Sequence, residues 1–196
     1  MWHQTPGGIV TRYEYDDLGR VERVINADGS QVSQTYDAWS RLETMTDVRG
    51  QRSRYDYDAF DNVVRQRIGT ERVETTEFDT RGAALKTTVY DVTGLSWAAN
   101  LQSLSDASLD GLLAALPDHR SRTAETEYDV HGRAVERTDA VGTTTEITYD
   151  GRGRKSTETD ARGAVTTYVY HIHTGRVVSM TRSAPRRRRS GHPVQV

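Results

Sequence analysis

Short runs in which apolar and polar residues alternate occur along most of the chain. Examples are QVSQTYD from residue 31, RLETMTD from residue 41 and TTTEITYD from residue 143. They are rich in Thr, Val and Tyr, and a period of two is typical of β-strands that bury one face. Asp and Gly follow most of these runs, and tight turns favour both residue types. The pattern therefore predicts β-hairpins joined by short turns.

A Tyr-Asp pair recurs every 21 residues. Its second residue stands at 16, 37, 58 and 79 in one block and at 129, 150 and 171 in another, where His171 replaces the Asp. A Gly, Ser or Asp follows three positions later in most copies, and a second turn such as NADG or DARG falls half a period on. Each repeat is thus predicted to hold two strands and two turns. Gly175 stands one residue late, which predicts an extra residue in the last turn.

The recurring positions are interpreted as structural. The tyrosines occupy equivalent places on neighbouring strands, so they are predicted to form an aromatic column, with roughly 0.2–1 kcal/mol per cross-strand contact. The aspartates recur with the turn, which favours Asx-turn capping over a unique acid–base pair. The structural repeat positions are Tyr15, Asp16, Gly19, Arg20, Tyr36, Asp37, Tyr57, Asp58, Phe78, Asp79, Gly82, Tyr128, Asp129, Gly132, Arg133, Tyr149, Asp150, Gly153, Arg154 and Tyr170.

These motifs resemble the signature of the Rhs or YD-repeat family, which is Tyr-Asp-x-x-Gly-Arg followed by an apolar residue. YEYDDLGRV from residue 13 and EYDVHGRAV from residue 127 match it closely, while YDAWSRL and YDAFDNV keep the frame without the Gly. The resemblance implies β-hairpins wound into a hollow spiral shell. Bacterial members enclose a polymorphic toxin domain and deliver it through secretion machinery. Related shells occur in insecticidal toxin complexes and in teneurins.

The expected fold is all-β, with consecutive antiparallel β-hairpins of 21-residue repeats forming a curved spiral sheet with one short helical insertion. The predicted division is repeats over 1–91, an insertion over 92–123, repeats over 124–182 and a disordered basic tail over 183–196. Shells of this family need many more repeats than seven. The self-cleaving core motif and a toxin domain are also missing from this sequence. The chain is therefore expected to be a fragment of a shell protein.

The insertion contains SDASLDGLLAALP from residue 105. Its leucines at 109, 112, 113 and 116 have the spacing of an amphipathic helix, and Pro117 is a typical stop signal. One interpretation, which we favour, is a loop that packs on the sheet. The other is a helix that docks a partner.

The residues that could carry chemistry give no enzyme signature. The formal net charge is −2, and without cysteine the chain has no disulfide or thiolate chemistry. Arg186 to Arg189 could contact phosphates, but the lack of interleaved aromatic residues argues against a nucleic-acid function. His171 and His173 could share a face as metal ligands, but no third ligand is visible, so a structural substitution is favoured. We expect no catalytic site, cofactor or metal.

The expected function is a structural segment of an Rhs-type shell that encapsulates and delivers a toxin domain. Expected partners are adjoining repeats, copies of the chain that pair through exposed edge strands, a toxin domain or a secretion component. The alternative is a carbohydrate- or protein-binding adhesion module, which exposed tyrosines and an exposed Trp39 would favour. The resemblance implies secretion or cell-surface delivery. The sequence has no signal peptide and no apolar run long enough to span a membrane.

Overall fold

The computed structural model describes residues 2–4 and 10–184. Over these residues the structure is all-β apart from one α-helix and two 3₁₀ helices, which confirms the predicted fold class. The chain divides into two compact units, Met1–Arg122 and Thr123–Val196. The arginine run of the tail, Arg186 to Arg189, lies outside the described residues.

In the first unit each strand pairs antiparallel with the next strand along the chain. The strands of this unit are β1 (Trp2–Gln4), β2 (Val10–Tyr15), β3 (Val21–Ile25), β4 (Gln31–Tyr36), β5 (Leu42–Thr46), β6 (Arg52–Tyr57), β7 (Val63–Ile68), β8 (Arg72–Phe78) and β9 (Ala84–Asp91).

The second unit repeats this pattern, with antiparallel pairing between consecutive strands. Its first strand begins two residues before the boundary between the units. The strands are β10 (Ser121–Tyr128), β11 (Ala134–Thr138), β12 (Thr144–Tyr149), β13 (Lys155–Thr159), β14 (Val165–Tyr170) and β15 (Val177–Arg182).

The loop after each Tyr-Asp pair is a tight turn followed by a β-bulge. In the first loop, the Gly19 amide donates to the Asp16 carbonyl at 2.9 Å, and the Asp16 amide donates to the Arg20 carbonyl at 2.9 Å. Gly19 has a φ of 79°, which glycine adopts without steric cost. The strand register shifts between Glu14 and Tyr15. A corresponding shift falls at every Tyr-Asp pair in the described strands, so the bulge is part of the repeat.

Two of these loops reach the left-handed conformation without glycine. Ser40 has a φ of 65° and Asp61 a φ of 66°. A side chain in this conformation costs roughly 1–2 kcal/mol, because Cβ approaches the following carbonyl oxygen. The last loop keeps a glycine, Gly175, whose amide donates to the His171 carbonyl one residue farther back than in the other copies. That loop therefore contains the extra residue.

The insertion contains three short helices. A 3₁₀ helix over Ala98–Ser103 leads into helix α1 over Asp106–Ala114, and a second 3₁₀ helix covers Asp118–Arg120. The side chain of Ser105 caps α1 by accepting a hydrogen bond from the Ser108 amide at 3.3 Å. This contact satisfies one of the amides that a helix leaves free at its first turn.

The same insertion supplies most of the apolar core of the first unit. Leu101, Leu109 and Leu113 are buried, and they form one cluster with Val73 of β8 and Val92. Transfer of side chains of this size from water stabilises a fold by roughly 1.5–3 kcal/mol each. The helix therefore packs on the sheet of its own unit.

Candidate functional site

Each complete Tyr-Asp loop fixes an arginine four residues after the aspartate. In the first loop, Oδ1 of Asp16 accepts hydrogen bonds from the amides of Leu18 at 3.0 Å and Arg20 at 2.9 Å. Oδ2 accepts from Nε of Arg20 at 2.7 Å and lies 2.7 Å from Nη2. The carboxylate thus closes the turn with one oxygen and holds the guanidinium with the other.

The arginine then contacts the tyrosine of the next repeat. The guanidinium of Arg20 lies over the ring of Tyr36, with its central carbon 4.6 Å from the ring centroid. The Tyr36 hydroxyl donates to the carbonyl of Val21, the residue after this arginine, at 2.9 Å. The ring of one repeat is therefore held between the side chain and the backbone of the repeat before it.

This contact recurs with nearly constant geometry in both units. The guanidinium–ring distance is 4.5 Å for Arg41 on Tyr57, 4.5 Å for Arg133 on Tyr149 and 4.4 Å for Arg154 on Tyr170. Each tyrosine hydroxyl donates to a carbonyl 15 residues earlier, at 2.7–2.8 Å. We call this the Asp–Arg–Tyr ladder; its members are Asp16, Arg20, Tyr36, Asp37, Arg41 and Tyr57 in the first unit and Asp129, Arg133, Tyr149, Asp150, Arg154 and Tyr170 in the second.

The ladder lowers the pKa values of its carboxylates. The hydrogen bond from the Arg133 side chain, followed by that from the Arg133 backbone amide, lowers the pKa of Asp129 to about 2. The pKa values of Asp16 and Asp150 are lowered by the corresponding arginine contacts. These shifts follow from hydrogen bonds to the charged carboxylate in a closed turn. The perturbed carboxylates are thus structural acceptors.

The ladder is interrupted in the first unit. Asn62 stands where other repeats have the arginine, and its side-chain amide donates to Asp58 at 2.9 Å. The next ring is Phe78, which has no hydroxyl to reach back to a carbonyl. In the following loop Ala83 replaces the arginine, and Arg81 donates to Asp79 instead. The loop that has Asn62 in place of the arginine is therefore followed by the ring that lacks the hydroxyl, Phe78.

His171 acts as the acceptor in the last loop. Its Nδ1 accepts from the amides of His173 at 3.3 Å and Thr174 at 3.2 Å, as an aspartate does in the other turns. The rings of His171 and His173 meet edge to face at 5.9 Å. This geometry agrees with the interpretation of His171 as a structural substitution.

The predicted aromatic column needs a correction. Successive tyrosines are not in direct contact in the ladder, because a guanidinium lies on each of these rings. An arginine over a ring gains from the ring quadrupole and binds the aspartate at the same time, which a second ring could not do. The tyrosines of the ladder are partly buried, whereas Trp39 is 77% exposed at the tip of its loop.

A second polar cluster lies beneath the insertion. Arg67 of β7 is fully buried, and its guanidinium donates to the carbonyl of Leu104 at 2.6 Å and to Asp56 at 3.0 Å. It also pairs with Asp106 at the start of α1, and Arg65 pairs with Asp110 one turn later. Two strand arginines therefore tie the insertion to the sheet.

Among residues 2–4 and 10–184, no three side chains of the His, Cys, Asp or Glu type lie close enough together to hold a metal ion. Over the same ranges, no helix has the length and apolar character needed to cross a bilayer. The carboxylates with shifted pKa values described above are capped by turn amides and side chains. The geometry supports repeat-to-repeat cohesion.

The remaining predicted positions lie in the turns and at the ends of the array. Gly82, Gly132 and Gly153 have positive φ values of 77–80° in their loops. Tyr15 is 45% exposed. Sequence reasoning missed Arg41, the bulges and the buried Arg67. The recurrence of arginine four residues after aspartate was the available signal for the first.

The model of the RHS repeat matches residues 3–31, 19–51, 36–71 and 128–165, which together make up more than half of the chain. These segments contain the ladder loops at Asp16, Asp37, Asp129 and Asp150.

One relative by sequence and one solved structure of similar fold extend the comparison. A protein of Dickeya dadantii (strain 3937), named probable deoxyribonuclease RhsB, is 31% identical over 156 residues, which cover 72% of this chain and 11% of the relative. A crystal structure of TcdB2-TccC3-TEV shares the fold with a TM-score of 0.54 at 16% identity, over 95% of this chain and 11% of that one. The chain thus spans about a tenth of the length of either. The repeats, the ladder and the family match together show that this chain belongs to the RHS repeat family.

Proposed function

We propose that this chain is a structural segment of an Rhs-type shell that encloses a toxin domain and takes part in its delivery. In this role the chain is not an enzyme. Its partners are adjoining repeats, and its place of action is outside the producing cell or at its surface. The deoxyribonuclease name belongs to a relative of which this chain matches only 11%.

The observation that carries the proposal is the ladder. Each complete copy joins its own turn to the ring of the next repeat through one arginine, as Arg41 joins Asp37 to Tyr57. Contacts of this kind depend only on the neighbouring repeat, so they extend a sheet to any length without a closed core. A wall built from many repeats needs such a contact.

The amino-acid composition of the chain also agrees with a role in the wall of a shell. The mean hydropathy of the chain is −0.73, and several strands place threonines directly opposite each other, as Thr148 and Thr157 do at 2.6 Å. Hydroxyl pairs of this type stabilise a sheet while both faces stay polar. A sheet with polar faces can separate two aqueous compartments.

The test uses the protein that is expressed from the gene with the coding sequence that flanks this chain in the genome. We expect a hollow particle by electron microscopy and protection of an enclosed domain from added protease. Replacing Arg133 and Arg154 by alanine in that protein should open the wall and speed cleavage. The matched control replaces the exposed Arg162 and Arg176 of the same unit. An unprotected wild-type protein without a cavity would contradict the proposal.

A second candidate is an adhesion module for carbohydrate, favoured by Trp39. Its indole is 77% exposed on a cleft that also presents the Asp61 carboxylate. Sugars bind where an aromatic face lies beside hydrogen-bonding groups. A glycan array probed with the chain and with Trp39→Ala decides between the two. Binding that the substitution removes would favour the adhesion module; no binding to any glycan would leave the shell segment as the function.

A further inference from the structure

The last Tyr-Asp loop differs from the preceding one in the group that accepts its backbone hydrogen bonds. Nδ1 of His171 accepts from the amides of His173 at 3.3 Å and Thr174 at 3.2 Å. In the preceding loop, Oδ1 of Asp150 accepts from the amides two and four residues later, each at 2.9 Å. An imidazole therefore stands where the other loop has a carboxylate.

The two acceptors respond differently to acid. An imidazole nitrogen accepts hydrogen bonds only while it carries no proton, and a charged ring is a donor at both nitrogens. Protonation of His171 would thus remove both contacts and turn two N–H groups toward each other. Histidine side chains gain this charge between about pH 5 and pH 8. By contrast, the hydrogen bond from the Arg133 side chain lowers the pKa of the loop carboxylate Asp129 to about 2.

The titratable groups of the last loop and its neighbour are basic. The ring of His173 lies 5.9 Å from the ring of His171. Arg176 belongs to the same loop, and its carbonyl accepts from the His171 amide at 2.8 Å. Arg152 of the preceding loop donates to the Ile172 carbonyl at 3.1 Å. A proton on His171 would therefore add positive charge to a basic surrounding.

The carboxylates of the neighbouring elements are bound elsewhere. Asp150 pairs with Arg154, and Asp160 pairs with Arg182. Among residues 2–4 and 10–184, no carboxylate forms an ion pair with His171. The rest of the sequence contains neither Asp nor Glu. No side-chain carboxylate thus compensates for the two lost hydrogen bonds when the ring becomes charged.

Strand β15, which follows this loop, is held mainly by backbone contacts. All six side chains of Val177–Arg182 are exposed, so burial of side chains contributes little. The strand pairs with β14, Arg182 pairs with Asp160, and the Ser183 amide donates to the Val165 carbonyl at 2.9 Å. Segments with few buried apolar contacts open at a lower free energy than the rest of a fold. The hairpin of β14 and β15 is therefore sensitive to a change in its turn.

We infer that the β14–β15 hairpin is a pH-sensitive element that opens in mild acid when the ring of His171 takes up a proton. The closed loop needs Nδ1 without a proton. Its stability is therefore fully present at about pH 8 and is lost as the pH falls through the histidine range. The aspartate loops stay closed over that range, so acid loosens the contact between repeats at one place in the array. This inference concerns the chain itself and does not depend on the shell role.

The first experiment measures hydrogen exchange of the full chain at about pH 7.5 and about pH 5, on either side of most of the histidine range. Rates are converted to protection factors, so that the intrinsic pH dependence of exchange cancels. Segment 171–183 reports on the hairpin, and segment 150–159, which has an aspartate loop, is the internal control. We expect the protection of 171–183 to fall roughly tenfold in acid, the change that two modest hydrogen bonds represent. The protection of 150–159 should stay constant.

Three variants assign the effect to one ring. His171→Asp restores the acceptor of the other repeats, and His171→Asn supplies an oxygen acceptor that does not titrate. Both variants should keep the protection of 171–183 at about pH 5, below the range in which the imidazole is neutral. His173→Gln is the matched control, because His173 lies in the same loop and contributes its amide to the contact. This control should lose protection in acid as the wild type does.

The outcomes decide the inference separately from the shell proposal. Equal protection of the wild type at the two pH values would overturn it, as would a loss that persists in both His171 variants or that His173→Gln abolishes. A loss that extends equally to 150–159 would mean general acid unfolding and would also overturn it. A loss confined to 171–183 in the wild type and in His173→Gln would establish it. The shell test measures a cavity and protection from protease, so neither result determines the other.

Discussion

The guanidinium of Arg41 lies 4.5 Å from the ring centroid of Tyr57, a residue of the next repeat. The same arginine donates to Asp37 at 2.7 Å and to Asp61 at 2.9 Å. The Tyr57 hydroxyl returns a hydrogen bond to the Leu42 carbonyl at 2.8 Å. Two neighbouring turns and one strand are thus joined by a single pair of side chains, which makes the pair a direct target for mutation.

Tyr57→Phe should destabilise the chain by about 1 kcal/mol, because the Leu42 carbonyl loses its donor while the ring keeps its place under Arg41. Tyr55→Phe is the control, since its hydroxyl accepts only a long contact of 3.4 Å from Gln66. Urea unfolding of both variants gives the comparison. Equal stability of the two would show that the hydroxyl contact contributes nothing.

Stability should fall at acidic pH through the ladder carboxylates. Folding lowers the pKa of Asp129 to about 2, so its contribution is fully present above pH 4 and is lost as the pH falls through about 2. Asp129→Asn should therefore reduce stability at neutral pH and flatten the change between pH 4 and pH 2. Urea midpoints measured across this range test the sign.

The first loop offers a matched pair for the same effect. Folding lowers the pKa of Asp16, first through its hydrogen bond with the Arg20 side chain. Asp17 is its exposed neighbour in the same turn. We expect Asp16→Asn to flatten the acid dependence and Asp17→Asn to leave it unchanged. A similar response in both variants would assign the effect to overall charge.

Ser40 combines an unfavourable conformation with a useful side chain. Its φ of 65° costs roughly 1–2 kcal/mol, and its hydroxyl accepts from Arg20 at 3.0 Å. Ser40→Gly removes both the conformational cost and the hydrogen bond, so the stability of this variant should stay near that of the wild type. Ser40→Ala keeps the conformational cost and loses the hydrogen bond, so it should be the least stable of the three. Thermal unfolding gives the ranking, and an alanine variant as stable as the glycine variant would contradict it.

The buried leucines of the insertion should contribute to the folding stability of the first unit. Leu101 is fully buried in the cluster with Val73 and Val92, so Leu101→Ala should cost about 2–5 kcal/mol. Leu85 is 38% exposed on β9, and Leu85→Ala should cost much less. Chemical unfolding measures both free energies. A small effect at Leu101 would mean that the first unit folds without the insertion packed on it.

Much of the sheet could be predicted from sequence because the same local sequence pattern recurs in every repeat. The 21-residue spacing, the turn residues and the alternation around Tyr36 are local signals, and strands pair with their chain neighbours. The arginine four residues after Asp16, Asp37, Asp129 and Asp150 was also visible in the sequence. The contact of this arginine with the next tyrosine ring could not be predicted. It depends on strand register and on the bulge at the tyrosine, which shifts the side chains relative to a regular hairpin.

The insertion shows more clearly which contacts cannot be predicted from sequence. The leucine spacing predicted a helix, and α1 covers Asp106–Ala114. The burial of Arg67 could not be predicted, since its partners Leu104 and Asp106 lie 37 and 39 residues farther along the chain. An arginine in a polar strand also looks like a solvated residue until a distant segment covers it.

The gap in the ladder has a consequence for how the first unit responds to its solution. The loops over 58–62 and 79–83 lack the arginine, and Val73, which lies between them along the chain, belongs to the apolar cluster that the insertion completes. Charged contacts are screened by salt, whereas burial of apolar surface is not. Cohesion within the first unit thus rests on partly exposed ion pairs before β7. From β7 onward it rests on apolar burial together with the pairs of Arg65 and Arg67 with the insertion. Added salt should therefore weaken the half before β7 more than the half after it, and the first half should unfold at the lower concentration of denaturant.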